Sequence, residues 1–116
     1  MQTKLFINGE FISGEGREEV ILDPATGETI VTIPEASPEQ INRAVAGASA
    51  AFVPWSGTTP GDRAGMLLKL ADRIEESAET FARFESQNCG KPYSLALEDE
   101  IPAVADCFRF FAGAAR

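Results

Sequence analysis

Cys89 and Cys107 are the two thiols of a 116-residue chain that contains no histidine. A thiol attacks only as its thiolate, and that requires a cationic neighbour or a helix N-terminus to lower its pKa. Cys89 falls at the C-terminal end of a predicted helix, where the negative end of the dipole acts in the opposite direction. Cys107 lies in an apolar helical stretch, where a free cysteine reads as a small buried hydrophobe. Without histidine the chain lacks the usual general base and the usual zinc ligand. It also has no Ser-His or Cys-His pair of its own. No glycine-rich phosphate loop follows a strand. No catalytic and no cofactor-binding residue is therefore assigned within the chain.

Carboxylates and guanidiniums carry further chemistry. Glu98-Asp99-Glu100 runs into Pro102. Acids near a helix start suit the positive end of its dipole, so this run reads first as a solvated face. Paired carboxylates also suit a cationic ligand, because charge-assisted hydrogen bonds both orient and attract. Arg109 and Arg116 read as surface or interface pairing groups. Trp55 reads as a packing anchor in a loop.

The elements that would position these groups divide into a β part and a helical part. Leu5-Phe6-Ile7 and Glu10-Phe11-Ile12 flank Asn8-Gly9, the dipeptide of a type I′ hairpin turn. Val20-Ile21-Leu22 and Thr29 to Ile33 form two more strands around Asp23-Pro24-Ala25-Thr26-Gly27, where Pro presets φ and Gly accepts a positive φ. Ser37-Pro38-Glu39-Gln40 is a helix start with the residues of a capping box. Ile41, Ala44, Val45, Ala48 and Phe52 then share one face, and Pro54 is expected to end the helix. Thr59-Pro60-Gly61-Asp62 repeats the start signature ahead of Ala64, Leu67, Leu68, Ala71 and Ile74. Ser77 is expected to cap a third helix that Gly90 and Pro92 stop. A fourth helical stretch begins near Ser94, and Pro102 predicts a kink or restart within it. Its expected apolar face is Ile101, Val104, Ala105, Phe108 and Ala112. The fold class is α+β: two short β pairs, then about four helices. The expected division is residues 1–36 for the hairpins and 37–116 for the helical segment, both parts of one domain.

The formal net charge of −8 repels phosphate backbones and anionic lipid, so neither nucleic acid nor a membrane is an expected partner. The N-terminus lacks a signal-peptide core, and the expected location is cytoplasmic. Phe110 and Phe111 widen the last helix's apolar surface beyond one stripe. The expectation is a chain truncated at 116 rather than a free-standing domain.

Five segments in order resemble the aldehyde dehydrogenase superfamily. They are Phe6-Ile7-Asn8-Gly9-Glu10-Phe11; Asp23-Pro24-Ala25-Thr26-Gly27-Glu28, with Asp for the family's Asn; Arg63 through Leu70-Ala71-Asp72-Arg73-Ile74-Glu75; Glu85 to Gly90-Lys91-Pro92; and Phe110-Phe111-Ala112-Gly113. The subfamily most similar is γ-aminobutyraldehyde (4-aminobutanal) dehydrogenase, on Asn88 to Pro92, Asp99 to Ala103 and Phe108 to Arg116. Betaine aldehyde dehydrogenases are near relatives.

The resemblance implies a parent about four times this length, an α/β protein with a Rossmann-like coenzyme domain. It implies NAD as cofactor, a small-molecule aldehyde as substrate and a homotetramer or homodimer. It also implies a cysteine thioester mechanism whose residues all come later in the chain, so this segment alone is expected to be inactive. By the same resemblance, Glu100, Asp99 and Ala103 belong to the substrate channel. A structural Na⁺ or K⁺ would take the backbone carbonyls of Ile21 and Leu22 and the side chain of Asn88, an uncharged ligand where the family has Asp. The alternative is a non-catalytic binding or assembly module that docks on a dehydrogenase-like partner.

Overall fold

The computed structural model describes residues 2–116, which fall into two compact units. The first comprises the described residues through Leu22 together with Gly27–Gly57. The second comprises Asp23–Thr26 and Thr58–Arg116.

In the first unit, β1 (Leu5–Ile7) and β2 (Glu10–Ile12) form one antiparallel pair. β3 (Glu18–Leu22) and β4 (Thr29–Pro34) form another. Asn8 at φ 55° and Gly9 at φ 83° make the expected tight turn, with Ile7 opposite Glu10. A bulge interrupts the second ladder between Ile21 and Leu22. Helix α1 (Pro38–Ser56) starts with the anticipated capping box: the Ser37 hydroxyl accepts from the Gln40 N–H, and Gln40 Oε1 accepts from the Ser37 N–H. The same Oε1 accepts from the Glu15 N–H at 3.0 Å, and Nε2 donates to the Ser13 carbonyl at 2.8 Å. Gln40 is 1% exposed, so one amide ties the helix start to the loop after β2. Gly14 is fixed by the same crowding, because any Cβ there would run into the Pro34 and Glu35 carbonyl oxygens.

Pro54 does not end α1. The helix continues through Ser56, which places Trp55 in its last turn rather than in a loop. A proline this close to the end forfeits one helical hydrogen bond without disturbing later turns. The face carrying Ile41, Val45 and Phe52 is exposed within this chain.

In the second unit, α2 (Pro60–Glu76) starts at Thr59, whose hydroxyl accepts from the Asp62 N–H. Ser77 precedes α3 (Ala78–Cys89) and caps through its backbone carbonyl, not its side chain. Gly90 ends α3 in the left-handed region at φ 74°. A Cβ at Gly90 would lie 3.2 Å from Pro24 Cγ, so the Asp23–Thr26 turn packs on this corner. That turn is closed by the Ala25 N–H donating to Asp23 Oδ1 at 2.8 Å.

The last helical stretch is composite: α4 (Tyr93–Leu95), a π-helical segment (Ala96–Glu100) and α5 (Ile101–Ala114). The Ile101 N–H donates to the Ala96 carbonyl, one residue further back than in an α-helix. Pro102 explains this. It has no N–H for the Glu98 carbonyl, and its ring would crowd that oxygen, so the preceding turn widens. Helices α2 and α5 pack through alanines one heptad apart, Ala64 and Ala71 against Ala105 and Ala112. Small side chains let the two backbones approach closely. Val104, expected on this face, is instead 44% exposed, and Phe110 and Phe111 are exposed as well. Cys107 is also exposed, contrary to the expected buried hydrophobe, because the alanine seam occupies the packed side of α5.

Candidate functional site

A cluster of charged groups at a backbone corner surrounds Lys91. The αL turn at Gly90 carries Lys91 away from α3, and the π-helical segment presents Glu100 at its end. Lys91 Nζ lies 2.6 Å from Glu100 Oε2 and 3.1 Å from Glu85 Oε1. One ammonium therefore bridges α3 and the π segment. The Cys89 thiol donates to the Glu85 backbone carbonyl at 3.0 Å and lies 3.5 Å from its carboxylate. The hydrogen bond from Lys91, then that from Cys89, holds the Glu85 carboxyl below its ordinary value. Lys91 is raised in turn, mainly by its bond to Glu100 and secondarily by Glu85. The Cys89 thiol thus lies at a helix C-terminus and not at a helix N-terminus.

The sequence-predicted channel residues are only partly alike in their surroundings. Glu100 is half-buried and engaged by Lys91. Asp99 and Ala103 are exposed, and Asp99 has no ion-pair partner among the described residues. Ile21 and Leu22 end β3 in the first unit, and Asn88 lies in the last turn of α3 in the second. Among the described residues no group of three His, Cys, Asp or Glu gathers to hold a metal. The described strands pair antiparallel, β1 with β2 and β3 with β4.

Sequence reasoning left Lys91 without a role. Its signal was a cation directly after a helix-stopping glycine, where the chain must turn back past the acids of its own helix. Arg109 was expected to pair on a surface, and it does. Its guanidinium forks onto Glu75 at 2.7 and 2.6 Å and reaches Asp72 at 3.1 Å. Asp72 and Glu75 stand three residues apart on α2, so both acids face one side. The Arg109 bond holds the Glu75 carboxyl below its ordinary value.

A separate open hollow of about 560 Å³ lies in the first unit, between the Asn8-Gly9 turn and the Ala44 to Ala51 stretch of α1. Gly47 is what lets the turn seat there, since a Cβ would collide with the Asn8 side chain. No helix is long and apolar enough to cross a membrane among the described residues.

Similarity to known proteins agrees with this architecture. The aldehyde dehydrogenase family profile matches residues 11–116. Aldehyde dehydrogenase family 2 member B4, mitochondrial, of Arabidopsis thaliana is 43% identical over 114 residues, covering 96% of this chain and 21% of that protein. The NAD⁺ complex of an aldehyde dehydrogenase from Bacillus cereus superposes with a TM-score of 0.91 at 41% identity, over 97% of this chain and 24% of that one. A betaine aldehyde dehydrogenase from Staphylococcus aureus, also in complex with NAD⁺, gives 0.90 at 29% identity, over 97% and 23%. The chain thus spans under a quarter of the length of these relatives. With the matched residues running through both units, the chain belongs to the aldehyde dehydrogenase family.

Proposed function

We propose that this chain is the N-terminal part of a homo-oligomeric, cytoplasmic aldehyde dehydrogenase. The enzyme oxidises an amino-aldehyde, 4-aminobutanal or a relative such as betaine aldehyde, to the carboxylic acid with NAD⁺ as oxidant. The observation that carries the reading is the family match over residues 11–116, together with NAD⁺ in similar solved structures. The amino-aldehyde preference draws on the acidic run of the π-helical segment and on the small Ala103 one turn later. A carboxylate there attracts a substrate's ammonium end, and a small side chain leaves room for an extended carbon chain. The thiol nucleophile is proposed to come from outside these residues, since Cys89 lies at the C-terminal end of α3 and Cys107 within α5, neither at a helix N-terminus. The exposed apolar faces of α1 and α5 suit a segment that packs on a larger enzyme.

The test is a comparison of kcat/KM for 4-aminobutanal, betaine aldehyde and the neutral pentanal on the intact enzyme. The expected order places one of the two cationic aldehydes first. Pentanal in first place would remove the amino-aldehyde reading and leave the family assignment untouched.

A further inference from the structure

Glu100 and Asp99 are adjacent acids with opposite surroundings. Lys91 Nζ lies 2.6 Å from Glu100 Oε2, and its side chain is only 28% exposed. Asp99, next to it on the widened turn, is exposed and has no ion-pair partner among the described residues. Both acids lie at the end of the π-helical segment, and Glu100 is the one that meets Lys91 at the Gly90 corner.

We infer that Lys91 is a specificity-determining residue: its ammonium sits on Glu100 as a built-in cation and withholds that carboxylate from a substrate's ammonium, leaving Asp99 open. This inference rests on the amino-aldehyde reading above. Three features carry it. Lys91 is the cation that pairs with Glu100. Glu85, on the other side at 3.1 Å, holds Lys91 in place. Together the three groups carry one net negative charge, so removing Lys91 would double the local negative charge and free Glu100. A purely structural ion pair would instead affect all substrates alike when broken.

The experiment uses the intact enzyme and two aldehydes of equal length, 4-aminobutanal and pentanal. Lys91→Met should lower KM for 4-aminobutanal by about threefold to tenfold, a range set by the strength of partly exposed charge-assisted pairs. KM for pentanal should stay within about twofold on the same basis. The gain should vanish in Lys91→Met/Glu100→Gln, while Asp99→Asn alone, which removes the open carboxylate, should lose the preference for 4-aminobutanal. An unchanged ratio in Lys91→Met would overturn the inference, as would a preference retained in Asp99→Asn. Should Lys91→Met fail to fold, the single Asp99→Asn enzyme decides: preference lost supports the assignment, and preference retained rejects it. A wild-type enzyme without preference for 4-aminobutanal sinks the substrate reading separately. In that case a preference newly acquired by Lys91→Met still supports the role of Lys91, and none acquired overturns it.

Discussion

Among the described residues of the first unit the most buried side chain is an amide, Gln40, with Ser37 and Ile7 the other buried residues. In the second, all six buried residues are alanines: Ala64, Ala71, Ala82, Ala96, Ala105 and Ala112. The strand unit is held by satisfying loop and cap backbone groups around one polar side chain. The helix unit is held by close approach of backbones, with ion pairs across the exposed margins of the seam. The same number of atoms lost therefore costs differently in the two. A polar deletion orphans several backbone groups at once, whereas a substitution in the alanine seam fails by overfilling.

That contrast can be broken in stages. Gln40→Leu should be the most damaging, because it leaves the Ser37 and Glu15 N–H groups and the Ser13 carbonyl without partners. Ser37 is buried and the other two bonds are partly buried, and orphans of this kind together cost about 4 kcal/mol. Hydrogen exchange on the intact protein should show lost protection at Glu15 and at the first turn of α1, with α2 and α5 unaffected. Full protection at Glu15 would mean that the amide is not the tie.

Ala71→Leu comes next. At 0% exposure there is no space for a larger side chain, and the expected cost is about 2 kcal/mol from overpacking. Exchange should rise in α2 and α5 and leave α1 unchanged. A neutral Ala71→Leu would show that the helix seam is looser than described.

Arg109→Ala should do less. Its partners Asp72 and Glu75 are about half or more exposed, and solvent screens such pairs. The expected result is a small destabilisation of α2 and α5 that shrinks further at high salt. A salt-independent loss would point to packing of the Arg109 stem instead.

The smallest effect is on pH dependence. Glu75 and Glu85 are both held below the ordinary 4.5. Each contributes stability that is present in full above that value and is lost as pH falls through the lowered one. Lys91 is raised above 10.5, so its contribution holds below that value and is lost as pH rises through the raised one. Acid titration of Glu85→Gln should therefore be flatter below pH 4.5 than that of the wild type. An identical acid limb would remove Glu85 from the network.

Local features with a strong backbone signature were legible in the sequence. Asn8-Gly9, the Ser37 to Gln40 box, the Thr59 start and the Gly90 stop all lie where turn and cap chemistry places them. Pro102 announced an interruption but not its form, because a missing N–H can be met by a kink, a break or a widened turn. Burial was the least legible property. Helical spacing identified Ile41, Val45 and Phe52 as one face, yet periodicity says only that a face is apolar, not what covers it. Cys107 was misread for the same reason: its residue type suggests burial, while the alanine spacing of Ala105 and Ala112 decides which side of α5 packs. The ion pairs at Lys91 depend on a chain reversal at Gly90, and no pairwise spacing along a single helix reveals them.

The most direct test of the account is NADH formation measured for two samples, the 116-residue chain alone and the intact enzyme that contains it, each given NAD⁺ and 4-aminobutanal. The account predicts NADH from the intact enzyme and none from the chain alone. Turnover by the chain alone, or none by the intact enzyme, would contradict it.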